Sequence, residues 1–232
     1  MATIRPAIPQ DIEGIMALEV ETFGPLGEGA MAHQTMMEKR ITLCNQGEYQ
    51  FFWVAIKQKG VVAYIILQPT SLTQKECTSW GAATDDGTLQ KTFDPTGPNL
   101  YVVSLAESKR APIGTTELLL HASAVVWVKR GGLYMFCSRM PGFAKAHRET
   151  GIKAEQYWRL TRSDGGPRDP MLRYYWSRSG GGSPLCLLPN GFPPDKESMG
   201  HGVFFALHDP YQALHALGQL LHDLGKPKKM SD

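Results

Sequence analysis

The stretch Leu100-Tyr-Val-Val-Ser-Leu-Ala-Glu-Ser-Lys-Arg-Ala-Pro-Ile-Gly-Thr-Thr-Glu-Leu-Leu119 constrains the chain most. Asn99 to Leu105 reads as a buried strand and Glu107 to Pro112 as a turn. Gly114 to Val128 reads as a helix whose Leu118, Leu119, Ala122, Val125 and Val126 form one broad apolar face. Arg130-Gly131-Gly132 closes the helix with a cation in the last turn and glycine beyond it. The first N–H groups of such a helix have no partner inside it, and the helix dipole adds about half a positive charge there. An anion, above all a phosphate or pyrophosphate, is the natural occupant. Lys109 and Arg110 stand just before that point, and Thr115 and Thr116 offer hydroxyls.

The rest of the chain builds a sheet around this unit. Thr3 to Pro6 reads as a strand, and Pro9-Gln10-Asp11 opens a helix carried by Ile12, Ile15, Met16, Leu18 and Glu19 and stopped by Gly24-Pro25. A second helix is expected from about Met31 to Cys44, with Met36, Met37, Arg40, Ile41 and Cys44 at helical spacing. Gln50 to Lys57 alternates as a strand, turns at Lys59-Gly60 and returns as Val61 to Leu67. Pro69 to Pro98 is polar and rich in turn signals. It reads as a long insertion, tethered by Trp80 and Phe93. Further strands are expected at Leu133 to Cys137, Met171 to Trp176 and His201 to Leu207. Short helices are expected at Lys145 to Thr150 and Ala154 to Thr161, and an amphipathic C-terminal helix runs through Tyr211, Leu214, Leu217, Leu221 and Leu224. Lys226 to Lys229 forms a basic tail. No repeat or composition break divides the chain, so residues 1–232 are expected to form one α/β domain.

Composition excludes several classes of function. Lys plus Arg total 24 against 22 for Asp plus Glu, a formal net charge of +2. That balance lacks the concentrated basic field of a nucleic-acid or membrane-surface binder. The longest apolar runs are too short or too interrupted to span a bilayer. Asp11 stands where a signal peptide needs apolar residues, so a cytoplasmic chain is expected. Cys44, Cys77, Cys137 and Cys186 are widely spaced, with no CxxC pair, which fits scattered thiols in a reducing compartment rather than disulfides or zinc. His208, His215 and His222 recur every seven residues, but no other ligand type completes a metal site, and none is expected.

The pattern resembles the GNAT superfamily of acyl-CoA-dependent acyltransferases, from Ile4-Arg5-Pro6-Ala7 to about Leu207. The usual signature of that family is Arg/Gln-x-x-Gly-x-Gly/Ala. This chain has Arg110-Ala111-Pro112-Ile113-Gly114-Thr115, in which a one-residue slide puts Gly114 into a glycine role. The resemblance implies a GNAT fold: a mixed central sheet with splayed fourth and fifth strands, flanked by helices. It implies acetyl-CoA or another acyl-CoA as cofactor. The pantetheine arm would lie in the opening, bonded to the backbone near Val103 and Leu105, and the pyrophosphate would rest on Arg110, Ile113, Gly114, Thr115 and Thr116. Ser138-Arg139-Met-Pro-Gly-Phe143, Arg168-Asp-Pro-Met-Leu-Arg-Tyr-Tyr-Trp, Leu187-Leu-Pro-Asn-Gly-Phe-Pro-Pro-Asp and Gly200-His-Gly-Val-Phe-Phe resemble one branch. That branch holds the GNAT-like loading domains of polyketide synthases and nitrilase-fused GNAT domains. In the loaders, malonyl decarboxylation relies on a His and an Arg. Here Tyr175 and Pro193 stand at those positions, so the decarboxylase chemistry does not carry over.

Acyl transfer to an amine needs a base for the amine, polarisation of the thioester carbonyl and an acid for the leaving thiolate. Glu107, just past the strand, is the candidate base. Tyr157 is the candidate acid, with Tyr175 a further candidate, since Tyr174 and Tyr175 alternate on an expected strand. His147, beside Arg148 and Glu149, reads as an exposed helix end. Met31, Met36 and Met37 either line an apolar pocket or fill core. The expected partners are a small amine or thiol acceptor and, as an alternative donor, an acyl carrier protein, with the chain a monomer or homodimer. Two alternatives stay open: a malonyl-CoA decarboxylase with S-acetyltransferase activity, and a degenerate GNAT that only binds.

Overall fold

Thr3–Pro6 (β1), Phe52–Lys57 (β2) and Gly60–Thr70 (β3) form an antiparallel meander, with Arg5 opposite Val54 and Val54 opposite Tyr64. In this computed structural model residues 2–27, 29–58 and 60–225 are described; Lys59 of the expected hairpin turn and the tail Lys226 to Lys229 lie outside them. From Val62 to Thr70 every β3 residue is buried, so both faces of the sheet need a cover. Ile12–Phe23 (α1) and Gln34–Cys44 (α2) pack on β3, as does Thr115–Arg130 (α4). Asn99–Glu107 (β4) and Tyr134–Ser138 (β5) flank α4 in the chain. Cys186–Leu188 (β6) and Gly202–Leu207 (β7) complete a seven-stranded sheet of order β1-β2-β3-β4-β5-β7-β6. Pro210–Leu224 (α8) packs on α4.

The only parallel neighbours among the described strands are β4 and β5, and their pairing is short: Leu100 with Tyr134, and Tyr101 with Met135. Beyond Tyr101 the two strands part. On its other edge β4 carries a bulge. Ile66 faces Ser104 while Leu67 faces Val102, leaving Val103 without a partner on β3. A bulge bends its strand and sharpens the twist, which directs β4 away from β5. Past Phe136, β5 keeps its antiparallel partner β7 through Ser138 opposite Val203. The expected splay of the fourth and fifth strands is present.

The structure corrects one expected element. Met171 to Trp176 is not a strand; it lies inside the helix Pro170–Arg178 (α7). Asp169 caps this helix, its carboxylate accepting from the N–H groups of Met171 and Leu172, and Pro170 takes the first helical position. The 70–98 insertion is also more structured than a loop. It contains a short helix, Trp80–Thr84 (α3), capped by Ser79. Thr92 donates to Gln68 at 3.0 Å, and the Phe93 ring meets Phe51 edge-on at 6.1 Å. Two further helices, Phe143–Thr150 (α5) and Ala154–Tyr157 (α6), lie close to their expected places.

Candidate active site

A cavity of about 660 Å³ occupies the gap between the parted strands. Val102 to Leu105 of β4 and Phe136 to Ser138 of β5 form its walls. One end is closed by α1, α2 and the insertion, through Glu19, Thr22, Phe23, Arg40 and Trp80; α7 and α8 bound the other, through Tyr175, Arg178 and Leu217. The sheet is therefore open where its backbone groups lack strand partners, and a slender polar ligand arm could bond there without breaking a ladder.

The turn between β4 and α4 is tied to α1. Glu21 of α1 accepts from the Ser108 hydroxyl at 2.9 Å and the Lys109 amide at 2.9 Å. Gly114 sits at the helix start with φ of 89°, a left-handed conformation that glycine adopts without steric cost. A Cβ there would stand 3.1 Å from Cδ1 of Leu224, so α8 packs closely on this point. Thr115 turns its hydroxyl onto the Pro112 carbonyl at 2.6 Å, and both Thr115 and Thr116 are buried. The Ile113 side chain is 85% exposed and points away from the protein. Arg110, 80% exposed, has its guanidinium 3.9 Å from Glu21. Behind the helix start, Glu117 pairs with Arg178, whose guanidinium lies 3.5 Å from the Tyr174 ring centroid.

The expected catalytic residues are dispersed. Glu107 ends β4 opposite Ala63, exposed and outside the cavity lining. Tyr157 is buried, donates its hydroxyl to Asp169 at 3.0 Å and packs on Phe143, also outside the lining. Tyr175 does line the cavity, with its ring 4.7 Å from that of Phe136, and burial pushes its hydroxyl up to about 12. Because α7 is a helix, Tyr174 and Tyr175 do not alternate across a sheet. Successive residues are about 100° apart, and the two rings meet edge-on at 5.3 Å. Val103 and Leu105 line the cavity, and the Val103 carbonyl already accepts from Trp80 Nε1 at 2.7 Å, leaving one lone pair for a ligand. Pro193 and Cys137 are also on the wall, with burial pushing the Cys137 thiol up. His147 Nδ1 donates to the Ile152 carbonyl, 2.9 Å away, at the end of α5.

The strongest candidate acid–base group is Glu19, which was expected only as part of the carrying face of its helix. It is 2% exposed and lines the cavity. Its Oε2 accepts from the Ala32 amide at 2.7 Å, and its Oε1 accepts from the Tyr64 hydroxyl. Tyr64 in turn lies 3.1 Å from the hydroxyl of Ser104, the residue after the bulge. Burial pushes the Glu19 carboxyl up, while the Tyr64 and Ala32 bonds and the charge of Arg40 pull the other way; the net direction is upward. The sequence does carry a signal: Glu19 and Arg40 occupy slots at apolar helical spacing, where a charge is costly unless it is used. Among the described residues no three His, Cys, Asp or Glu side chains cluster to hold a metal, and no helix is long and apolar enough to cross a membrane.

Solved structures share this architecture. GphF, a GNAT-like decarboxylase in complex with isobutyryl-CoA, superposes with a TM-score of 0.69 at 21% identity, over 89% of this chain and 98% of its own. The loading GNATL domain of CurA from Lyngbya majuscula gives 0.72 at 16% identity, over 90% and 98%. Malonyl-CoA decarboxylase from Cupriavidus metallidurans gives 0.57 at 12% identity, over 94% of this chain and 64% of that one. No protein-family model and no curated protein matches the chain. At these identities the likeness establishes a fold.

Proposed function

We propose that this GNAT-fold chain is an acyl-CoA-dependent acyltransferase acting on a small amine. The observation that carries the proposal is the parting of β4 from β5 after Tyr101, with the cavity lying in the gap. The pantetheine arm bonds the free backbone from Val103 to Leu105. The pyrophosphate rests on the exposed turn before α4, around Arg110 and Ile113, which Gly114, Thr115 and Thr116 support from the buried side. The acceptor enters from the α1–α2 end.

In the reaction the amine nitrogen attacks the thioester carbonyl carbon. A C–N bond forms, the C–S bond breaks, and the nitrogen loses one proton. Glu19 takes that proton, directly or through a water, in place of the exposed Glu107. Tyr175 supplies a proton to the leaving thiolate, in place of Tyr157, whose hydroxyl is committed to Asp169.

Calorimetric titration with acetyl-CoA, followed by thiol release across an amine panel, tests this reading. Binding with turnover is expected, and an absence of binding up to millimolar concentration would sink it. A second reading draws on the structural likeness to GphF and the CurA loading domain: decarboxylation of malonyl-CoA and acetyl delivery to an acyl carrier protein. Tyr175 and Pro193, at the positions of the loaders' His and Arg, weigh against it. Malonyl-CoA recovered intact after incubation with the protein and a carrier protein would remove it.

A further inference from the structure

Arg40 is the least expected charge in the molecule. It is 2% exposed, on the inner face of α2, and it lines the cavity. Its Nε donates to the Gly87 carbonyl at 2.8 Å. Its two Nη atoms meet only thioether sulfurs, Met37 Sδ at 3.5 Å and Met36 Sδ at 3.2 Å, which are weak acceptors. Among the described residues no carboxylate lies within ion-pair distance of it. A buried guanidinium is normally matched by a carboxylate or phosphate in a two-pronged pair. The same end of the cavity holds the carboxylate of Glu19, the exposed Asp86 at its edge, and the Thr22 hydroxyl, buried and without a partner one turn along from Glu19. A cation and an anion thus line one chamber without forming an ion pair: Glu19 is held by Tyr64 and the Ala32 amide, while only the Nε of Arg40 has a strong acceptor. Phe23, Leu26, Met31 and Trp80 supply apolar wall, and His33 and Ser79 also line the cavity.

We propose that this chamber takes an acceptor bearing both a primary amine and a carboxylate, of the apolar α-amino acid type, with the carboxylate on Arg40 and the amine toward Glu19 and Thr22. Assigning the chamber to the acceptor rests on the acyltransferase reading, because a dicarboxylic acyl group would offer Arg40 the same chemistry. The amine end separates the two: only an acceptor places a nitrogen beside Glu19.

The test uses L-leucine, L-methionine and L-phenylalanine, each against its α-amide, with binding to the protein alone read by calorimetry. The free acids are expected to bind at least about tenfold more tightly than the amides, the loss associated with one charge-assisted pair. Arg40→Met should erase that ratio, bringing the acids down to the affinity of their amides. If Arg40→Met does not fold, Arg40→Lys should narrow the ratio, and the acid-to-amide ratio of the natural chain still decides. Equal binding of acids and amides overturns the proposal. So does an Arg40-dependent preference for malonyl-CoA over acetyl-CoA, which would give the guanidinium to the acyl group. Acetyl-CoA binding with no preference for acids removes this inference and leaves the acyltransferase reading intact. Arg40-dependent amino-acid binding without acetyl-CoA binding keeps the chamber and removes the acyltransferase.

Discussion

Trp80 Nε1 donates to the carbonyl of Val103 at 2.7 Å, so the insertion is tied directly to the one β4 residue that the bulge leaves unpaired. The bond fills an acceptor that the sheet cannot satisfy, and it brings the insertion to the cavity wall. Trp80→Phe keeps most of the ring and removes the donor. The expected result is a loss of about 1–2 kcal/mol in denaturant unfolding, with weaker acceptor binding. Unchanged stability would mean that water replaces the indole.

Glu19→Gln tests the base. The amide cannot accept a proton, so turnover should fall roughly 100-fold or more. In the natural chain the rate should rise with pH as Glu19 ionises, over a range displaced upward from ordinary glutamates; the variant should lose that limb. Stability gives an independent check. A carboxyl raised in the folded state binds its proton more tightly there than when unfolded. Its contribution is complete below the unfolded pKa and is lost as pH rises through the folded one. The Gln variant should therefore show a flatter decline of stability across that interval in thermal melts.

Tyr157→Phe should cost about 1 kcal/mol and leave turnover within twofold, because the hydroxyl serves Asp169 and not the cavity. Asp169→Ala should cost more, roughly 2 kcal/mol or above, since that carboxylate also caps α7 and accepts from the Gly142 amide at 3.1 Å. A large kinetic defect in Tyr157→Phe with normal stability would restore Tyr157 as the acid.

Gly114→Ala places a Cβ at a left-handed φ and 3.1 Å from Leu224. A penalty of about 1–2 kcal/mol is expected, together with weaker acetyl-CoA binding by calorimetry. Arg110→Ala should weaken the same binding without any change in melting temperature, since the side chain is exposed.

The order of strands and helices was legible because it rests on local pattern. The alternation in β2, the apolar run of β3 and the face of α4 bury the same residues whichever neighbour they meet. The turn at Gly114 was legible for the same reason, as glycine marks a conformation that other residues avoid. Met171 to Trp176 was misread because six residues carry too little period to separate strand from helix; the Asp169–Pro170 cap was the better signal. The three-residue β6 has no period at all.

The site itself lay beyond reach of pattern. Glu19 and Arg40 are 21 positions apart on separate helices, and Glu19 meets Ser104 only through Tyr64, on yet another strand. Their chemistry arises from burial, which raises one carboxyl and strands one guanidinium, and burial belongs to the assembled sheet rather than to any segment. Local spacing set which elements form and which faces turn inward. The parting of two strands, and the charges that meet beside it, came from long-range packing, because an unpaired backbone edge and a desolvated charge exist only once distant segments have closed around them.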